Sequence, residues 1–140
     1  DFSNLDERLA KKYRNKSLKS ILDKDPVPSI SNGLLNALKN HKSKHENRGN
    51  GFGYSVVDPQ KRGTVTRTIS ARYYKDGAEA LVKVPGKNPR KLSVNECKRL
   101  MGLPEKFKFP VSDVQAYKQL GNSVVVPLVT MIAKEMAEHL

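Results

Sequence analysis

Cysteine is almost missing from this chain: Cys97 is the only one in 140 residues. A lone thiol cannot close an internal disulfide or build a cysteine-rich zinc site, and the expected setting is a reducing, cytoplasmic one. No run of about 18 apolar residues occurs, which argues against a transmembrane helix and against a membrane partner. The start, Asp1-Phe2-Ser3-Asn4-Leu5, lacks the basic-then-apolar pattern of a signal peptide. An initiator methionine is also missing, so a piece of a longer chain is expected. Acidic residues are scarce as well, 14 against 26 Lys and Arg, which leaves a net charge of +12.

That excess is unevenly placed. Residues 1–50 carry 11 basic and 6 acidic side chains, residues 51–92 carry 9 and 3, and residues 93–140 carry 6 and 5. Nearly all of the net positive charge, +11 of +12, therefore precedes residue 93. Such a bias points to a polyanion, most often nucleic acid; the alternatives are a solvated basic surface or an acidic protein partner. The length suits one ordinary domain or two small ones, with enough chain to bury a real core.

Leu5, Leu9 and Tyr13 recur at four-residue spacing and predict a short amphipathic helix. Asp25-Pro26-Val27-Pro28 breaks it, and Ser31-Asn32 is placed to cap a second helix through Leu34, Leu35 and Leu38. Asn40–Asn50 is polar and aperiodic, and reads as loop. Strands are expected at Phe52–Val57, Thr64–Tyr74 and Ala80–Val84, the last two joined by a turn at Lys75-Asp76-Gly77. In the middle strand Thr64, Thr66, Thr68, Ser70 and Arg72 share one face, opposite Val65, Ile69, Ala71 and Tyr73. Pro85–Pro89 ends the sheet. Ser93-Val94-Asn95-Glu96 is a capping-box pattern, followed by the stripe Val94, Cys97, Leu100 and Met101 and a stop at Gly102. A last helix is expected to begin near Gly121-Asn122-Ser123, with Pro127 in its first turn and Leu128, Ile132 and Met136 on one face.

No catalytic constellation emerges. Cys97 sits on the helical stripe, with no histidine nearby in sequence to activate it, and reads as a small buried hydrophobe. His41 and His45 have no third ligand, so no metal site is expected. Arg48-Gly49-Asn50-Gly51-Phe52-Gly53 is not the dinucleotide fingerprint; it is a turn, or backbone passing close to phosphate. The best binding candidate is the polar strand face, where Thr68, Ser70 and Arg72 are flanked by Arg67, Tyr73, Tyr74 and Lys75. Arginine on such a ribbon can grip guanine O6 and N7, although a solvated threonine-rich face is equally compatible. The Gly121-Asn122-Ser123 helix start is either an anion site or simple capping.

Two blocks carry a resemblance. Arg90–Pro104 (RKLSVNECKRLMGLP) resembles the ninth motif of DNA (cytosine-5) methyltransferases, and Ala116–Pro127 (AYKQLGNSVVVP) resembles their tenth. Gly49–Val82 is similar to a target-recognition domain of that family, with Thr68-Ile69 where Thr-Leu is usual. Arg48–Tyr54 and Ser70–Glu79 are particularly close to the enterobacterial members that methylate the inner cytosine of CCWGG. The family's glycine-rich cofactor loop, Pro-Cys nucleophile, Glu-Asn-Val motif and arginine pair have no counterpart here, and Cys97 falls in motif nine rather than at the nucleophile.

The resemblance implies an α+β fold, a small β-rich target-recognition domain followed by helices that in the whole enzyme return to a Rossmann-like methyltransferase domain. Residues 1–88 would form the recognition domain with its helical approach, and 89–140 the segment of motifs nine and ten. The implied cofactor is S-adenosylmethionine, bound mainly by the missing part but touched by Asn122, Ser123 and Val124. The implied partners are double-stranded DNA and a catalytic methyltransferase domain in the same or a partner chain. DNA would be met by Arg48, Arg67, Thr68, Ser70, Arg72, Tyr73, Tyr74 and Lys75. Such a chain, cytoplasmic and nucleoid-associated, would be inactive alone. A separate specificity subunit and a stand-alone basic nucleic-acid-binding module are the alternatives.

Overall fold

The computed structural model describes residues 4, 7–8, 11–12, 17–51 and 53–138. The expected helix of Leu5, Leu9 and Tyr13 falls on residues outside that set. Leu18 and Ile21 stand in a 3₁₀ turn, Leu18–Ile21, capped by the Ser17 hydroxyl. Helix α1, Asn32–Glu46, begins as its sequence dictates: the Ser31 side chain accepts a hydrogen bond from the Leu34 N–H. It does not stop at Asn40. Lysine, serine, histidine and glutamate extend a helix without needing an apolar stripe, and Lys42 and Glu46 face each other at i,i+4. The expected loop from Asn40 is thus helical as far as Glu46.

The sheet departs further from expectation. Only Val56–Val57 (β1) and Leu81–Val82 (β2) form strands among the described residues. They pair in parallel, Val56 with Leu81 and Val57 with Val82, so no hairpin joins residues 64–84. Arg90 adds antiparallel bridges to Val82 and Ser29. The alternating segment Thr64–Arg72 is not a strand, because no neighbour pairs with its backbone. Its hydroxyls bond locally instead: Thr64 donates to the Lys61 carbonyl at 2.7 Å, and Ser70 accepts from the Arg72 N–H at 3.2 Å. The alternation survives only in part, with Ile69 buried but Val65 86% exposed. Tyr73–Asp76 is a single helical turn, α2. It is closed by Gly77, whose φ of 66° suits glycine and whose N–H donates to the Tyr73 carbonyl.

Helix α3, Val94–Leu100, forms as read, with both halves of the Ser93–Glu96 capping box present. The stretch beyond it holds two helices rather than one: α4, Asp113–Asn122, and α5, Val126–Ala137. By length and composition Asp113–Ala137 together would suffice to cross a membrane. Extended backbone at Ser123 and Val125 divides it, and neither half reaches the ~20 residues a crossing needs. Pro127 stands in the first turn of α5, as expected.

One apolar cluster joins Val57, Ile69, Tyr73, Ala80 and Val82 to Leu92, Cys97, Met101, Tyr117 and Leu120. It therefore runs across the Pro85–Pro89 breaker. Two tyrosines tie it together at residue 92. The Tyr73 hydroxyl accepts from the Leu92 N–H at 2.8 Å and donates to the Ala80 carbonyl at 2.7 Å, while the Tyr117 hydroxyl donates to the Leu92 carbonyl at 2.7 Å. Beside them the buried Arg90 guanidinium grips both Glu96 carboxylate oxygens, at 2.8 and 2.9 Å. Glu96 also accepts from the Asp23 and Ser93 N–H groups. A buried charge pair satisfied on this many sides is tolerated where a lone charge would not be.

Candidate nucleic-acid and cofactor surface

The residues expected to meet DNA divide into two neighbouring groups. In the first, α1 presents Lys42 beside the loop after Arg48. The Lys42 ammonium lies 5.6 Å from the Tyr54 ring centre, and its stem packs on Gly53. Arg67 reaches the same loop, donating from Nη1 to the Gly53 carbonyl at 2.7 Å. Arg48 and Thr68 are exposed nearby in sequence. The clasp holds the glycine-rich loop against α1 and leaves a basic edge facing outward.

The second group sits on and before α2. Arg72 and Lys75 are exposed, and Ser70 and Tyr74 are partly so. Ser70 donates its hydroxyl proton to the Glu79 carboxylate. Lys118 of α4 lies 5.4 Å from the Tyr74 ring centre, and Lys91 donates to the Tyr74 carbonyl at 2.9 Å. Tyr73 does not belong to this surface. Its side chain is fully buried with its hydroxyl doubly used, on the same inner side as Ile69, the face that the alternation already sets opposite Arg72. Burial, reinforced by Cys97 nearby, pushes its phenol well above the ordinary range.

Asn122, Ser123 and Val124 lie together, but at the end of α4 rather than at a helix start. The expected arrangement of free helix N–H groups is therefore absent, and the Ser123 N–H and hydroxyl both donate to the Leu120 carbonyl. Glycine, asparagine and serine also terminate helices, which is why the same tripeptide reads either way. What the site offers is the exposed Asn122 carboxamide and a 59% exposed Val124 beside it. The carboxyl end of a helix favours positive charge. The corner thus combines a hydrogen-bond donor, an acceptor and an apolar edge. Below it α5 leaves an apolar groove open, lined by Val124, Val129, Ala133 and Ala137.

Cys97 is fully buried, and burial, then the Glu96 and Glu79 carboxylates, push its thiol above the normal value. It is a core residue. His41 and His45 meet at a tilt within α1, ring centres 4.4 Å apart, and the described residues hold no cluster of three metal-ligating side chains. Sequence reasoning missed α4. Ala116, Tyr117 and Leu120 form its buried stripe, and that spacing was the available signal. The contacts of Lys118 with Tyr74 and of Gly121 with Ser70 and Ala71 had no such signal.

The C-5 cytosine-specific DNA methylase family model matches residues 2–138. The chain is 49% identical over 116 residues to the type II methyltransferase M.DsaV of Dactylococcopsis salina, covering 83% of this chain and 32% of that protein. It is 48% identical over 121 residues to a DNA-cytosine methyltransferase of Escherichia coli K12, covering 72% and 26%. It thus spans between a quarter and a third of the length of these relatives. In fold it is similar to the S. pombe Dnmt2 methyltransferase, with a TM-score of 0.72 at 17% identity, covering 96% of this chain and 46% of that one. With a family match running nearly end to end and relatives at close to half identity, this chain belongs to the C-5 cytosine-specific DNA methylases.

Proposed function

We propose that this chain is the DNA-recognition and cofactor-closing part of a DNA (cytosine-5-)-methyltransferase. The observation that carries the reading is the family match over residues 2–138 in a chain that spans only a quarter to a third of its relatives' length. Residues 1–88 serve recognition and 89–140 carry motifs nine and ten. The enzyme works in the cytoplasm on double-stranded DNA. The catalytic part, in the same or a partner chain, covers the apolar groove of α5.

In the complete enzyme the target cytosine leaves the duplex, since chemistry at C5 needs access to the base. S-adenosylmethionine, when bound, supplies an electrophilic methyl group for C5. This chain's share is to hold and to orient. Asn122, Ser123 and Val124 form one wall against the cofactor; Arg72, Thr68, Ser70 and Lys75 face the major groove; and the Lys42–Arg48–Arg67 edge grips phosphates. Cys97 has no part in the chemistry.

The test is to assay this chain alone and joined to the segment bearing the catalytic motifs. Labelled S-adenosylmethionine should transfer label to DNA only in the joined enzyme, and bisulfite sequencing of the product maps the methylated site. Transfer by the isolated chain above a boiled control, or none by a folded joined enzyme, overturns the reading.

A further inference from the structure

Gly121, next to last in α4, lies against the backbone of the segment read as the DNA reader. A Cβ built on it would stand 2.1 Å from the Ser70 carbonyl carbon, 2.2 Å from its oxygen and 2.3 Å from the Ala71 nitrogen. Those are backbone atoms, which cannot swing aside as the end of a side chain can. Glycine is not needed here for a left-handed backbone, since Gly121 is not among the positive-φ glycines. It is needed for space. One helical turn earlier Lys118 covers the Tyr74 ring, so the same face of α4 meets the segment twice. The Glu79 carboxylate also holds the Ser70 hydroxyl. The residue after Gly121 is Asn122, which opens the cofactor wall.

We propose that Gly121 is a positioning residue: its missing side chain seats the DNA-reading segment directly on the end of α4 that carries the cofactor wall. Sequence discrimination then depends on a residue that touches neither DNA nor cofactor. A bidentate contact to a base needs its donors placed within a fraction of an ångström, whereas a long lysine finds a phosphate from many positions. Lifting the segment off α4 therefore weakens reading before it weakens grip. The inference rests on the reading of residues 67–75 as the recognition segment.

The experiment uses the complete enzyme, duplexes carrying its mapped site or a scrambled one, and S-adenosylhomocysteine as the cofactor-site probe. In Gly121→Ala, affinity for the specific duplex should fall on the order of tenfold, the scale of one lost bidentate contact. Affinity for the scrambled duplex should change by less than about twofold, as expected when phosphate contacts persist. Glu79→Ala, which releases Ser70 without a clash, should lower discrimination in the same direction and leave S-adenosylhomocysteine affinity unchanged; it carries the test if Gly121→Ala does not fold. Arg72→Ala run alongside separates the two ideas. If Arg72→Ala leaves discrimination intact, the recognition reading itself fails, and the proposal with it. If Arg72→Ala loses discrimination while folded Gly121→Ala and Glu79→Ala keep it, only the positioning role is overturned. A parallel loss of specific, scrambled and cofactor binding in both variants would mean general destabilisation, and would overturn it too.

Discussion

At Cys97 composition, periodicity and structure meet. A sole cysteine invites assignment as the methylase nucleophile, yet it lies on the Val94–Met101 stripe and is fully buried beneath it. Because burial raises its thiol above the usual value, alkylation of the native protein at pH 8 should be slow, and should become fast once the protein is unfolded. Cys97→Ser puts a hydroxyl in an apolar site and should cost on the order of 1–3 kcal/mol in denaturant titrations. In the complete enzyme it should leave the methyl-transfer step nearly intact; abolished turnover in a folded variant would reassign the residue. Tyr73 is the opposite lesson. Its sequence neighbours Arg72 and Tyr74 suggest a DNA contact, yet the alternation already sets Tyr73 opposite Arg72, on the side of Ile69, and the structure buries both. Tyr73→Phe removes the group that bridges Ala80 and Leu92, leaves their buried backbone groups unpaired, and should destabilise by about 1–3 kcal/mol per group.

Among the elements, legibility follows the strength of the local signal. The Ser93 capping box and the Ser31 cap announce α3 and α1 because a short side chain that accepts a backbone N–H is encoded within four residues. The two-residue strands fall inside the expected Phe52–Val57 and Ala80–Val84, but their parallel pairing was not legible, since it is settled by partners 25 residues away. The 3₁₀ turn is held in place by a similarly distant network. Asp23 just after it accepts from the Ser93 hydroxyl and from Arg99, which also pairs with Glu105. Burial raises the Asp23 carboxyl, but the Ser93 and Arg99 contacts outweigh it and hold the group below the ordinary aspartate range. A carboxyl lowered on folding adds stability above its unfolded value and loses it as pH falls through the folded one. Acid unfolding should therefore begin in this network below about pH 4, the unfolded aspartate value. In Asp23→Asn that part of the acid sensitivity should vanish from pH-dependent melting curves, at the cost of lower stability near neutrality.

The break between α4 and α5 bears directly on the cofactor reading. With Asn122–Val124 at a helix end, an anion-binding role through free N–H groups has no support, and the side chain of Asn122 becomes the group that matters. In the complete enzyme Asn122→Ala should weaken S-adenosylhomocysteine binding on the order of tenfold, the scale of a lost hydrogen bond in a closed site. Ser123→Ala should act less, since that hydroxyl already bonds Leu120. Duplex affinity without cofactor should barely move. Isothermal titration distinguishes the two variants, and equal cofactor affinity in Asn122→Ala and parent returns the site to a plain helix stop.

For the molecule as a whole the charge distribution was the most informative single fact, and the structure gives it a shape. The basic half holds two kinds of cation. Lys42, Lys44 and Arg48 lie on and just beyond α1, on long side chains at an exposed or partly exposed surface. Arg72 stands at the start of α2, on a segment seated against α4. On the proposed reading, cations of the first kind would find a phosphate in any sequence, and each such contact would release counterions from the duplex. Neutralising Lys44 or Arg48 should then weaken specific and scrambled duplexes alike and flatten the salt dependence by about one unit of slope. Arg72→Ala should instead cost roughly 1–3 kcal/mol on the specific duplex alone and relax the choice at one base pair. Arg67 is the instructive intermediate, because its guanidinium already donates to Gly53. Its replacement should loosen the glycine loop and weaken both duplexes, as a phosphate contact would. Titrations of the complete enzyme at several salt concentrations sort the three behaviours. If Arg72→Ala and Arg67→Ala both reduce specific and scrambled binding by one factor, the segment only clamps the backbone and base reading resides elsewhere.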